Sequence, residues 1–248
     1  MKEVSPLIDV EIAADGTAWV SCGGGINGTY PSSLWHFKLV GNQLTTLGSV
    51  CFGDAIKGFS IDASGNAWVA SQKDDTIYAV APDATVIGSY VGAGISGPWS
   101  TTVDGEGNVS GADFGPLTLA ENETYSARVS VLAGANAATR PPGLAMGDPI
   151  TPETGYTVPS AGSEVLFHNG QPLYGPNAPP TFDPMQRTTK TVIDSAGNLW
   201  AVNNWKNNFG IDNTINPGGD GVVIFVGLAA PPQTAGRASS GSDHRREH

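Results

Sequence analysis

The chain has 248 residues, with 33 glycines, 18 prolines and a formal net charge of −11 from 12 basic and 23 acidic residues. At 40% hydrophobic it is too apolar to be largely disordered. Its negative balance, with no Lys or Arg run before the tail, argues against a nucleic-acid partner, and no apolar stretch approaches the ~20 residues of a membrane span.

The first residues, MKEVSPLIDVEIAADG, hold no apolar signal core. Five copies of one phrase then follow: a strand-like run, a tight glycine turn and a second strand-like run. They are IAADGTAWVS from Ile12, IDASGNAWVA from Ile61, VDGEGNVSGA from Val103, ITPETGYTVP from Ile150 and IDSAGNLWAV from Ile193. Their turn glycines, Gly16, Gly65, Gly107, Gly155 and Gly197, are spaced by 49, 42, 48 and 42 residues. Between the copies lie further runs such as SLWHFKLV, TIYAVA, SARVSVLA, SEVLFHN and GVVIFVGL. Their apolar residues alternate, the pattern of half-buried strands, and no helical period is sustained.

A period near 45 with three or four strands per unit predicts an all-β, five-bladed β-propeller with mostly four-stranded antiparallel blades around a central channel. Residues 1–230 read as one domain, with units near 4–52, 53–95, 96–140, 141–184 and 185–230. Residues 231–248 read as a flexible polar tail. The fifth unit lacks a fourth strand before that tail. Met1–Pro6 would supply it in a closed ring, the alternative being a larger ring with blades missing. Five units account for nearly the whole chain, which favours a ring of five.

The turn has a chemical explanation. Asp62, Asp104 and Asp194 stand three residues before their glycines, where a carboxylate can accept turn N–H groups. Asn66, Asn108 and Asn198 follow the glycines and tolerate left-handed backbone. This is expected to be turn chemistry rather than a calcium loop, since EF-hand spacing is absent. Trp19, Trp68 and Trp200, three residues past their glycines, are expected to pack between blades. Cys22 and Cys51 read as two unpaired small residues rather than a bridge. His36 and His168 read as strand residues with satisfied rings.

If the first strand of each unit starts at the top, the loops after the second strand surround the channel mouth. That places Asp74, Asp75, Asp113, Asn203, Asn204, Asn207, Asn208 and Asp212 on one face, with Asp54 beside them. Converging oxygens would suit Ca²⁺. The candidate metal ligands are Asp54, Asp113, Asn203, Asn204 and Asp212. Asp113 and Asn204 are the candidate catalytic residues, and Trp205 is a candidate platform for an apolar or cyclic substrate. A polar loop capped by its own amides is the other reading of that patch.

The phrases DASGNAWV and DSAGNLWA resemble NHL-repeat propellers, and also the gluconolactonase and senescence-marker-protein propellers. More loosely they resemble the streptogramin lyases. The resemblance covers about 225 residues and implies a divalent cation, commonly calcium, at the top of the channel. In the lactonase branch that ion polarises a lactone carbonyl and activates a water. The matching positions here are Lys57-Gly58, Ser96-Gly97 and Gln186-Arg187, and none carries a carboxylate. What the resemblance implies is a calcium-dependent hydrolase opening a lactone or similar small cyclic ester. The alternatives are a non-catalytic propeller that binds a ligand or protein, and a ring-opening lyase. The expected molecule is a monomer. The N-terminus without a signal core reads as a cytoplasmic protein or as one whose leader has been removed, and the resemblance suggests a secreted or periplasmic bacterial protein of the second kind.

Overall fold

A computed structural model describes residues 6–24, 31–53, 55–115, 127–159, 167–168, 171–172, 184–203 and 221–232. Every regular element among them is a strand, and no described helix is long and apolar enough to cross a membrane.

The first sheet contains β1 (Leu7–Ile12), β2 (Ala18–Cys22), β3 (Ser32–Val40) and β4 (Gln43–Phe52). The second contains β5 (Ile56–Ile61), β6 (Ala67–Ser71), β7 (Thr76–Val80) and β8 (Val86–Tyr90). The third contains β9 (Pro98–Val103), β10 (Val109–Asp113) and β11 (Arg128–Leu132). A two-stranded hairpin, β12 (Phe167–His168) and β13 (Gln171–Pro172), follows. The fourth sheet contains β14 (Thr188–Ile193), β15 (Leu199–Asn203) and β16 (Val222–Phe225). Within each sheet, strands pair antiparallel in sequence order.

The sheets meet through their first strands. Phe59 N donates to Asp9 Oδ2 at 3.3 Å, joining β5 to β1. Ser60 Oγ and Thr101 Oγ1 share a hydrogen bond at 2.7 Å, joining β5 to β9. Ser100 Oγ and Thr102 Oγ1 donate to the Thr189 and Thr191 carbonyls, at 3.0 and 2.7 Å, joining β9 to β14. The same four strands border one cavity of about 310 Å³, which Glu11, Ser60, Thr102 and Lys190 help to line. Sheets set around a channel with their first strands innermost form a β-propeller.

The apolar core lies between the sheets in three clusters. Trp19, Leu34, Phe59 and Val69 join the first sheet to the second. Trp68, Ile77, Val109 and Leu132 join the second to the third. Val129, Ile193, Leu199 and Ala201 join the third to the fourth. β6 and β10 are buried at every position, because neighbouring sheets cover both faces, whereas β16 alternates as its run predicted. Trp19 and Trp68 are fully buried as expected, and truncating either ring would cost roughly 3–5 kcal/mol. Trp200 does not follow them: it is 38% exposed.

The turn phrase builds one device four times. The glycine N–H donates to the carbonyl three residues back, at 2.9–3.0 Å. The glycines have φ between +81° and +89°, a region that L side chains rarely adopt. Asp62 Oδ1 accepts from Ser64 N and Asn66 N, and Oδ2 accepts from Asn66 Nδ2 and Trp68 Nε1. Asp194 repeats the whole set, ending on Trp200 Nε1. The carboxylates are consumed by the turns, as turn chemistry requires.

The fourth copy departs from the prediction. Its turn forms, with Gly155 N donating to Pro152 O at 2.8 Å. Its flanks do not pair with each other as inner strands. They run along β11 instead: Ile150 N donates to Val131 O, and Tyr156 and Val129 exchange both backbone bonds. Residues 149–156 therefore complete the outer edge of the third sheet. The phrase has Pro152 and Glu153 in its turn and no carboxylate like Asp15, Asp62, Asp104 or Asp194 bonding the turn N–H groups. At the other end of the chain, Pro6 O accepts from Gly23 N and extends β1. Pro6 thus belongs to the first sheet rather than to the fifth unit, and residues 1–5 lie outside the described set.

Cys22 and Cys51 are free. Both align with Ser33, one on each side of β3. Two strand spacings, about 9.5 Å, exceed the reach of a disulfide.

Candidate binding site at the channel mouth

The inner strands start, and the second strands end, at the same rim of the channel. Register carries a finding that no motif announced: each inner strand bulges there. The shifts fall between Leu7 and Asp9, between Ile56 and Phe59, at Pro98–Ser100 opposite Asp113 and Ala112, and between Thr188 and Lys190. The extra residues are Ile8, Lys57 with Gly58, Trp99 and Thr189. A bulge re-aims a side chain without ending the strand, which is why bulges gather beside functional sites.

Two of these residues meet. Lys57 Nζ lies over the Trp99 ring, 4.7 Å from its centre. Trp99 stacks on Phe114, with ring centres 4.7 Å apart. Arg187 lies over the far partner, its guanidinium carbon 4.4 Å from the Phe114 ring centre, while Nη1 donates to Phe114 O at 2.9 Å. Two cations thus sit on adjoining aromatic rings, an arrangement worth roughly 0.5–2 kcal/mol per pair depending on desolvation. Phe114 and Arg187 are buried, whereas Lys57 and Trp99 are half-buried and reach solvent.

Asp113, predicted as a ligand and catalyst, is at this rim but fully buried. Its Oδ1 accepts from Ser96 N at 3.1 Å and its Oδ2 from Ser130 N at 2.8 Å. Burial pushes its pKa up to about 8, against the opposing pull of Ser130 and Ser96. Ser130 Oγ lies beside this carboxyl yet makes no hydrogen bond of good geometry. Asn203 is also buried at the rim, its Oδ1 accepting from Thr188 Oγ1 at 3.1 Å while Nδ2 has no partner among the described residues. Gln72 Nε2, at the end of the second sheet's β6, is likewise buried and unpartnered. Asp74 accepts from Ser71 Oγ, and Asp75 from Gly97 N. Asp54, Asn204, Trp205, Asn207, Asn208 and Asp212 lie outside the described residues.

Calcium takes ionised carboxylates and also neutral carbonyl oxygens. Asp113 is held by two backbone N–H groups and its burial favours the neutral acid, which makes it a weak ligand. Asn203 Oδ1 accepts from Thr188 Oγ1. Among the described residues no three His, Cys, Asp or Glu side chains converge as a metal site. His36 is structural, as expected: Nδ1 bonds Pro82 O at 2.8 Å, Nε2 bonds Thr17 Oγ1 at 2.7 Å, and the ring stacks on Trp19 at 4.0 Å. Nothing is described of the His168 side chain.

Sequence reasoning passed over Trp99 altogether, and noted Lys57 and Arg187 only for what they are not. The available signal was a charged or aromatic residue at or just before the start of strands two, three and four of the inner ring, eight to ten residues before each turn glycine.

No known protein family matches the chain, and neither does any curated protein. Solved structures do. One is a protein of unknown function from Bacteroides caccae, 13% identical, with a TM-score of 0.50; the match covers 91% of this chain and 65% of that one. Another is virginiamycin B lyase from Staphylococcus aureus, 12% identical, with a TM-score of 0.41, covering 91% of this chain and 71% of that one. At 13% identity the first likeness speaks to the fold alone, and this chain spans about two-thirds of that protein's length.

Proposed function

We propose that the protein is a ligand-binding propeller whose channel mouth takes a small, ring-bearing molecule with an anionic or acceptor-rich edge. The observation that supports this reading is the set of mouth bulges that present Lys57 and Trp99, backed by Phe114 and Arg187. In a chain with only 12 basic residues, two sit together on aromatic rings at this rim. An aromatic face holds a ring by stacking, and a cation beside it selects a carboxylate.

Sodium glucuronate, a ring carrying one carboxylate, tests this against uncharged glucose. Glucuronate should raise the melting temperature and quench Trp99 fluorescence, and glucose should do neither. Lys57→Ala should weaken glucuronate binding about five- to tenfold, the equivalent of ~1 kcal/mol, with an unchanged melting temperature. Equal binding by Lys57→Ala would remove the reading. Lactone hydrolysis lost on chelation and restored by Ca²⁺ would replace it with the hydrolase that the resemblance implies, carried by residues such as Asp54, Asn204 and Asp212.

A further inference from the structure

Trp200 stands in the register of Trp19 and Trp68 and keeps the same bond to its turn carboxylate, 2.9 Å to Asp194 Oδ2. The other two tryptophans bury themselves against the following sheet. Trp200 is 38% exposed, and its cross-strand neighbours Val192 and Ile224 are exposed at 50% and 43%. At the opposite flank, Val10 and Ile12 of the first sheet are exposed at 60% and 66%. Val10 pairs in register with Val20 and Trp35, as Phe59 pairs with Val69 and Tyr78 in the second sheet. In the second sheet that row is the one packed against the Trp19 cluster. One flank thus offers a tryptophan face and the other offers the face that receives one.

We propose that these two faces are the walls of one wedge, and that its occupant is one further antiparallel sheet of this same repeat, with its inner strand between β14 and β1. Three sheet-to-sheet interfaces are already formed by these two faces, and the wedge presents the remaining one of each. Glu11 and Lys190 border the same channel cavity, so both walls of the wedge reach the axis. Lys190 occupies the register of Asp9 and Ser100, each of which bonds the backbone of the next inner strand. Lys190 accordingly selects an incoming strand that offers a carbonyl or carboxylate there.

The test extends the chain with a second copy of its own residues 53–95, joined ahead of residue 4. That copy brings Trp68 to the Val10 face and the Phe59 row to Trp200. The expected result is a melting temperature raised by about 5 °C or more, at least threefold less acrylamide quenching of Trp200, and a monomer. Trp200→Arg should cancel that gain in the extended chain while moving the 248-residue protein by less than about 2 °C. An added unit that folds without shielding Trp200, or that stays unfolded on the ring, overturns the proposal. So does a 248-residue protein in which Trp200 is already shielded: as a monomer it is covered by its own chain, and as a concentration-dependent dimer by a second copy. The Trp200→Arg measurement on the 248-residue protein reads this independently, since a loss above 5 °C would mean an occupied wedge.

Discussion

Among the described residues, Asp113 is a carboxyl whose pKa lies far above its ordinary value. The side chain looks like a loop ligand in the sequence because it ends a strand ahead of a long polar link. The fold buries it beneath Ser96 and Gly97, the link that brings the chain into the third sheet, and both of its oxygens go to backbone N–H groups. Its pKa is raised from 3.8 to about 8, chiefly by burial. For a carboxyl whose folded value is raised, the neutral form favours folding. The contribution is whole below the ordinary value and is lost as pH rises toward the folded one. Melting temperature should therefore fall between pH 5 and pH 8. Asp113→Asn, similar in shape and without a titrating proton, should flatten that slope, and an equally steep fall in the variant would count against this account. Asp194 belongs to the other class: its bonds to Trp200 and Asn198 lower its pKa, so its contribution is lost only in strong acid, well outside this window.

At the scale of elements, the turn phrase is the unit of construction, and its exceptions are as informative as its copies. In the first sheet Ala13 stands where the second and fourth have Asp62 and Asp194, and Asp15 bonds Thr17 instead. Trp19 Nε1 is consequently buried without a partner, whereas Trp68 Nε1 has Asp62 at 3.0 Å. The backbone at the two sites matches, because Ala13 N bonds Thr17 O as Asp62 N bonds Asn66 O. Ala13→Asp should supply the missing acceptor and stabilise the fold by about 1 kcal/mol, read as a melting temperature 2–4 °C higher. A lower melting temperature would show that the first turn cannot admit the carboxylate. The bulges belong to this scale too. They were illegible because a bulge is a relation between two strands, and no residue type marks it.

For the molecule as a whole, neighbouring blades are held by apolar clusters outside and a hydroxyl seam inside. Thr101 is the knot of that seam: it shares a bond with Ser60 Oγ and donates to Trp68 O at 2.6 Å. Thr101→Val keeps the shape and leaves a buried carbonyl short of a donor. It should cost about 1–2 kcal/mol, measured by urea unfolding with an unchanged slope. No measurable loss would mean that the apolar clusters alone set the angle between blades. The seam, the clusters and the half-bare Trp200 all follow from one rule, that each sheet is completed by the next.

Local spacing determined the strands, the Asp-x-x-Gly turns and the propeller architecture, because a tight turn and a period of two are settled within a few residues. It also pointed to the turn carboxylates as acceptors of turn N–H groups, which is the role they have in the structure. Tertiary structure decided the rest. It assigned residues 149–156 to the edge of the third sheet, where Val129 and Val131 offered backbone partners that the phrase could not supply for itself. It buried Asp113 and brought Lys57, Trp99, Phe114 and Arg187 together from three sheets. Those contacts join residues up to 73 positions apart, and only the packing of sheet on sheet brings such groups within reach of one another.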